Sequence, residues 1–145
     1  MIAPFKGKFH IMWYPKTAST AYAFGDAVTI LSTVAGVGTL AKVDNASTRV
    51  IGFIQRAVVA ADSDYATTDL VPVLIGDVDA EYLFDVSTGT PAVTDIGEMI
   101  DFDDENSVDV NAYTTGQILV TRIISATQVV GKLNKGFGKE IPITA

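Results

Sequence analysis

The stretch MIDFDDENSVDV, Met99 to Val110, holds Asp101, Asp103, Asp104, Glu105 and Asp109, with Glu98 one residue upstream. Six carboxylates around one chain reversal are hard oxygen donors of the kind calcium takes at about 2.3–2.6 Å. Set against the helix–loop–helix calcium pattern from Asp101, the residues Asp103 and Glu105 fall at the third and fifth positions. Asn106 stands where the sharp turn wants glycine, and Ala112 where a bidentate glutamate belongs. The flanks read as strands, so this is no such loop. Two readings stay open: a looser calcium site, or the wet tip of a β-hairpin. In the second, Met99, Ile100 and Phe102 enter, Asp103 to Ser107 form the tip, and Val108 and Val110 leave.

The remaining candidates for chemistry are sparse. Asp77, Asp79 and Glu81 alternate with Val78, Ala80 and Tyr82, a period of two with one wet face that Asp101 or Asp103 could meet. Carboxylate pairs serve glycoside hydrolysis at set separations. The plainer reading is a solvated face whose like charges resist edge-to-edge association. His10 is the only histidine, so a Ser-His-Asp arrangement would have to use it. The chain has no G-x-S-x-G, H-E-x-x-H or P-loop lysine. Gly36 and Gly38 give a G-x-G without the third glycine or the following helix that phosphate binding needs, and read as a turn. The chain is therefore expected to be non-enzymatic and to need no cofactor, with no catalytic or metal residue assigned.

The elements that would carry these residues belong to one domain. The chain has 145 residues, 48% hydrophobic and 19% charged, enough for a core of its own. It has no cysteine, so neither disulfides nor cysteine-ligated zinc hold it. No uninterrupted apolar run is long enough to span a membrane. The N-terminus lacks the compact apolar run and cleavage site of a secretory signal, and the protein is expected to stay where it is made. Charge is segmented: residues 1–60 carry +4, residues 61–109 carry −14 with no Lys or Arg, and residues 110–145 carry +3, the net being −7. Such blocks suit contacts between copies, or are interleaved by folding. An acidic chain without a basic cluster speaks against nucleic acid.

Along the chain, PFKGKFHIMWYPK mixes aromatic and basic residues between Pro4 and Pro15, and neither a regular helix nor a central strand suits it. Phe5, Phe9, Ile11, Trp13 and Tyr14 are costly to leave in water, so this segment either packs back or docks on a neighbour. Docking is the favoured expectation, with residues 1–20 as an extended arm and Thr17 to Thr20 as its hinge. GDAVTIL, LVPVLIGDVDAEYLFDV, IGEMIDF, QILVTRIIS and ATQVVGKLN read as strands, with Gly76 marking a bulge or break and Pro72 an edge or a strand start. RVIGFIQRAVV is ambiguous: Val50, Ile51, Ile54, Ala57 and Val58 fit a helix face, whereas Gly52 and the β-branched content favour a strand over residues 49–61. Seven to nine short strands without a convincing helix indicate an all-β, single-domain β-sandwich or β-barrel over residues 21–134, with a tail over 135–145.

With that pattern, the order GDAVTIL, RVIGFIQRAV, VPVLIGDVDAEYLFDV, IGEMIDF and GQILVTRIISATQVVGKLN resembles the capsid decoration (cement) proteins of tailed bacteriophages over roughly Ala21 to Asn134. The resemblance implies a virion protein, made in the host cytoplasm, that binds the outer surface of an assembled capsid. Its partners would be the major capsid protein and copies of itself, as a trimer or dimer, with no nucleic acid and no membrane. On that reading Phe5, Lys6, Lys8, Phe9, Trp13 and Tyr14 bind the partner, with Lys16 helping to steer the arm. The alternatives are a soluble β-sandwich module for carbohydrate or calcium, or another β-rich virion component such as a tail-tube or head-tail joining protein.

Overall fold

The computed structural model describes residues 2–31, 38–47 and 49–134; Gly36 and the tail over 135–145 lie outside the described residues. In chain order the strands are β1 (Ala3–Lys6), β2 (Phe9–Pro15), β3 (Ala27–Ile30), β4 (Leu40–Lys42), β5 (Gly52–Ile54), β6 (Leu70–Gly76) and β7 (Glu81–Thr88). After a single 3-10 turn (Val93–Asp95) come β8 (Met99–Asp104), β9 (Ser107–Asp109), β10 (Ile118–Ser125) and β11 (Gln128–Leu133). No α-helix occurs among the described residues. The protein is an all-β single domain.

One sheet runs β1-β7-β11-β10-β8-β9. Parallel pairing of β9 with β7, Asp85 to Ser107 and Val86 to Val108, closes it into a five-stranded barrel that leaves β1 as an extra strand on β7. Closure removes sheet edges that would otherwise recruit other chains. The second sheet runs β2-β6-β5-β3-β4, and a parallel bridge from Lys16 to Leu40 draws its two ends together.

Two cores result. The first fills the barrel with Phe84, Ile100, Phe102, Val108, Ile118 and Val129, and reaches Phe53, Ala27 and Val43 of the second sheet. The second lies within the second sheet, among Val28, Leu40, Ile54, Val71, Val73 and Ile75. With both faces of β6 covered, its sequence is a nearly continuous apolar run, whereas β7 alternates buried Tyr82 and Phe84 with half-buried neighbours. An aromatic chain crosses the seam: Phe9 to Tyr82 at 5.5 Å, Tyr82 to Phe53 at 4.6 Å, Phe53 to Phe84 at 6.3 Å and Phe84 to Phe102 at 5.9 Å. Offset and edge-on pairs at such spacings add to the burial of the rings.

The structure corrects three local expectations and resolves one that the residues leave open. Residues 3–15 do not extend as an arm: β1 pairs with β7, and β2 pairs with β6 along its full length. Gly7, at φ +123°, turns the chain between them, and an added Cβ there would come within 2.9 Å of the Ala80 Cα. Pro4 and Pro15 lie on outer strands, where a missing donor is tolerated. Residues 49–61 are strand and turn: β5 is followed by a Val58–Tyr22 bridge. Asp77 to Ala80 is a turn rather than an alternating strand, because the Asp77 carboxylate accepts from the Asp79 N–H at 3.1 Å and its carbonyl from the Ala80 N–H at 3.1 Å. Pro72 sits in an inner strand, with its carbonyl accepting from the Gln55 N–H where the paired part of β5 ends.

Candidate functional site

The acidic stretch forms the expected hairpin, β8 to β9, yet its carboxylates are spread over separate tasks. Asp101 is buried and accepts from the main-chain N–H groups of Thr115 (3.0 Å) and Gly116 (2.6 Å). Asp103 accepts from the Ser87 hydroxyl at 2.6 Å, Asp104 from the Asn106 N–H and the Ser107 hydroxyl, and Asp109 from the Asn111 N–H. Glu105 docks the tip on β3, its carbonyl accepting from the Ala27 N–H at 2.7 Å and its carboxylate 3.7 Å from Lys42. Among the described residues no group of three or more His, Asp or Glu side chains converges as a metal site. Buried Gln117 joins this end of the barrel to the β4–β5 loop. It donates to the Asp44 and Ser47 carbonyls and accepts from the Phe102 N–H.

The charge blocks meet within the fold. Among the described residues the ion pairs Lys42–Glu105, Arg56–Asp64 and Lys132–Asp79 each join a cation of an outer segment to an acid of the middle one. Arg56, 2.6 Å away, holds the Asp64 carboxyl below its usual range. Lys6, Lys8 and Lys132 share an open groove of about 400 Å³ with Asp77, Asp79 and Glu81, three charges of each sign. Such balance favours neither a phosphate nor a metal.

What stands out is the outer surface of the N-terminal hairpin. Of the residues expected to bind a partner, Trp13 is 59% exposed and Phe5 is 40% exposed, with the Arg122 guanidinium 5.5 Å from the Phe5 ring centre. Lys6 and Lys8 flank the turn and are exposed. Phe9 and Tyr14 instead pack against the first and second cores, and burial pushes the Tyr14 phenol above its ordinary pKa. Lys16 is fully buried, its ammonium donating to the carbonyls of Asp64, Tyr65 and Thr67, so it steers nothing and instead holds the 62–69 loop. His10 stands exposed on β2. Ile11 (45% exposed) and Leu70 (55% exposed) extend the apolar surface around Trp13. Leu70 escapes a sequence reading because it opens a strand whose other apolar residues are mostly buried. Its place beside the outer strand, opposite Pro15, is set by sheet order.

Compared with protein-family models, curated proteins and solved structures, the chain matches none.

Proposed function

We propose that this chain is a non-enzymatic structural protein of a tailed-phage virion, binding the outer surface of the assembled capsid and strengthening it. The observation that carries the reading is the N-terminal hairpin. Phe9 and Tyr14 anchor it in the two cores, while it presents Phe5, Lys6, Lys8 and Trp13 outward on rigid strands. Exposed aromatics beside lysines suit protein contact, since aromatic anchors dominate binding energy and rim charges set encounter rates. Burying each large side chain contributes on the order of 1.5–3 kcal/mol, and many copies on one shell multiply weak contacts. Shell contact falls to the turn end, Phe5, Lys6 and Lys8, and subunit contact to β2. The strand and glycine order over residues 21–134 adds the resemblance to decoration proteins.

The test is co-sedimentation with assembled shells of the cognate major capsid protein. The chain is expected to pellet with shells and to raise their melting temperature. The triple variant Phe5→Ala, Lys6→Glu, Lys8→Glu is expected to weaken pelleting about tenfold or more, a loss of about 1.4 kcal/mol, with its own folding unchanged. A chain that stays in the supernatant at every shell concentration ends this reading.

A further inference from the structure

The geometry points to the open edge of β2 as the place where a second copy of this chain adds on, strand against strand about a two-fold axis. This deepens the assembly reading and rests on it for its purpose.

The direction of the main-chain groups comes first. The Lys8 carbonyl accepts from the Asp77 N–H at 3.0 Å, and the Lys16 N–H donates to the Asp69 carbonyl at 3.2 Å. Even-numbered residues of β2 therefore turn their main-chain groups toward β6. The register runs unbroken from Phe9–Gly76 to Pro15–Leu70. Alternate residues of an antiparallel strand serve opposite sides, so Phe9, Ile11 and Trp13 turn their N–H and C=O groups outward. Pro72, opposite Trp13, agrees: its carbonyl accepts from Gln55, on the far side of β6 from β2. Among the described residues no strand lies along this edge; Pro15, without an N–H, ends it, and the Lys16–Leu40 bridge closes the sheet just beyond.

The edge is most fully self-complementary about Ile11, since centring on His10 leaves Trp13 opposite Gly7 of the turn. Antiparallel pairing centred on Ile11 sets Ile11 opposite Ile11 of the second copy and Phe9 opposite its Trp13. Each such pair exchanges two N–H···O=C bonds, so every outward group of Phe9, Ile11 and Trp13 is used. Pro15 then falls opposite Gly7, outside the bonded stretch. Centring on Met12 or Trp13 instead sets Phe9 or Ile11 opposite Pro15, which cannot donate in return. Phe9, Ile11 and Trp13 also share one face, so the favoured register brings Trp13 against Phe9 of the second copy and covers exposed apolar surface. Charge agrees with the antiparallel sense. It carries the Lys8 end of each β2 toward the other copy's 62–69 loop, where Asp62 and Asp69 stand beside the Arg56–Asp64 pair. Parallel addition would set lysine beside lysine. The pairing is isologous and closes as a dimer.

The experiment is sedimentation velocity of the full chain over a concentration series, with amide hydrogen exchange at the two ends of the series. The expected result is a monomer–dimer equilibrium in which the Phe9, Ile11 and Trp13 amides gain protection as the dimer forms. Ile11→Pro removes an outward donor and leaves the β2–β6 ladder whole, and Ile11→Lys keeps the donor but sets like charges on the two-fold axis. Each is expected to raise the dissociation constant about tenfold or more, with near-ultraviolet circular dichroism unchanged. If the proline variant fails to fold, the lysine variant decides. A wild-type chain that stays monomeric throughout, or a dimer indifferent to these substitutions, overturns the pairing. A monomer that still pellets with capsids overturns the pairing alone, whereas a dimer with these properties that ignores capsids supports the pairing and removes the capsid reading.

Discussion

The Ala27 N–H donates to the Glu105 carbonyl at 2.7 Å, so the tip of the acidic hairpin is held to β3 by main chain. The accompanying Lys42–Glu105 ion pair is longer and partly exposed on both sides, at 37% and 28%. Exposed pairs contribute about 0.2–1 kcal/mol at most, whereas a buried main-chain group left without its partner costs about 1–3 kcal/mol. Lys42→Ala is therefore expected to shift the urea midpoint little. Ala27→Pro, which removes the donor, is expected to lower it well beyond that. Equal effects would mean that the side-chain pair holds the tip.

The same contact brings Asp26 near the tip. Burial raises the Asp26 pKa from its ordinary 3.8; the Ala23 N–H bond opposes this, the Glu105 carboxylate adds to it, Lys42 opposes it, and Asp104 adds to it. The folded state thus holds the proton more tightly than the unfolded chain does, and stability falls as pH rises from 3.8 through the raised folded value. Asp26→Asn keeps an oxygen for the Ala23 N–H and removes the charge. Melting temperature against pH is expected to lose this declining component in the variant and to lie higher at neutral pH. A variant less stable at pH 7 would show that the carboxylate charge is favourable there.

Much of this architecture was readable from residue order. The break at Gly76, the acidic hairpin from Met99 to Val110 and the last two strands all follow from period-two apolar runs and turn chemistry. The N-terminal segment misleads because Pro4, Gly7 and Pro15 look like breakers until the sheet order places them on outer strands and at a turn. Lys16 and Asp101 were opaque for a different reason. Each is a charged residue whose burial is made tolerable by main-chain groups 14 or more residues away, which no local pattern reveals. The candidate surface was half visible: its aromatic residues were plain, but which of them face inward depends on the register of β2 against β6.

Tyr82 shows how closely that register is set. Its hydroxyl accepts from the Gly76 N–H at 3.0 Å, and burial pushes its pKa up to about 12. The folded state keeps the proton after the unfolded chain has lost it, so the stability this group contributes is whole below pH 10 and falls between pH 10 and 12. Tyr82→Phe is expected to remove that alkaline decline and to cost about 0.5–1.5 kcal/mol at pH 7 through the lost bond. Gly76→Ala is expected to cost more, since its Cβ would stand 2.4 Å from both the Tyr82 hydroxyl and the Ala80 Cβ. Urea unfolding at the two pH values checks both, and an unchanged alkaline slope in Tyr82→Phe would remove Tyr82 as its source.

The largest single loss is expected at Lys16. Its ammonium gathers the carbonyls of Asp64, Tyr65 and Thr67, on a loop also held by the Arg56–Asp64 pair and by Ser19, whose N–H donates to the Tyr65 carbonyl and whose carbonyl accepts from the Tyr65 hydroxyl. Lys16→Met keeps the length and apolar stem of the side chain but removes the donor to those carbonyls, at about 1–3 kcal/mol for each buried acceptor left unsatisfied. Since the cost falls on one loop, it is expected to appear first as local opening. Chymotrypsin should cleave after Tyr65 in the variant under native conditions, well before global unfolding, while the wild-type loop resists. Cleavage at the same rate in both would mean that the turns, the Ser19–Tyr65 bonds and the Arg56–Asp64 pair hold the loop without the Lys16 ammonium.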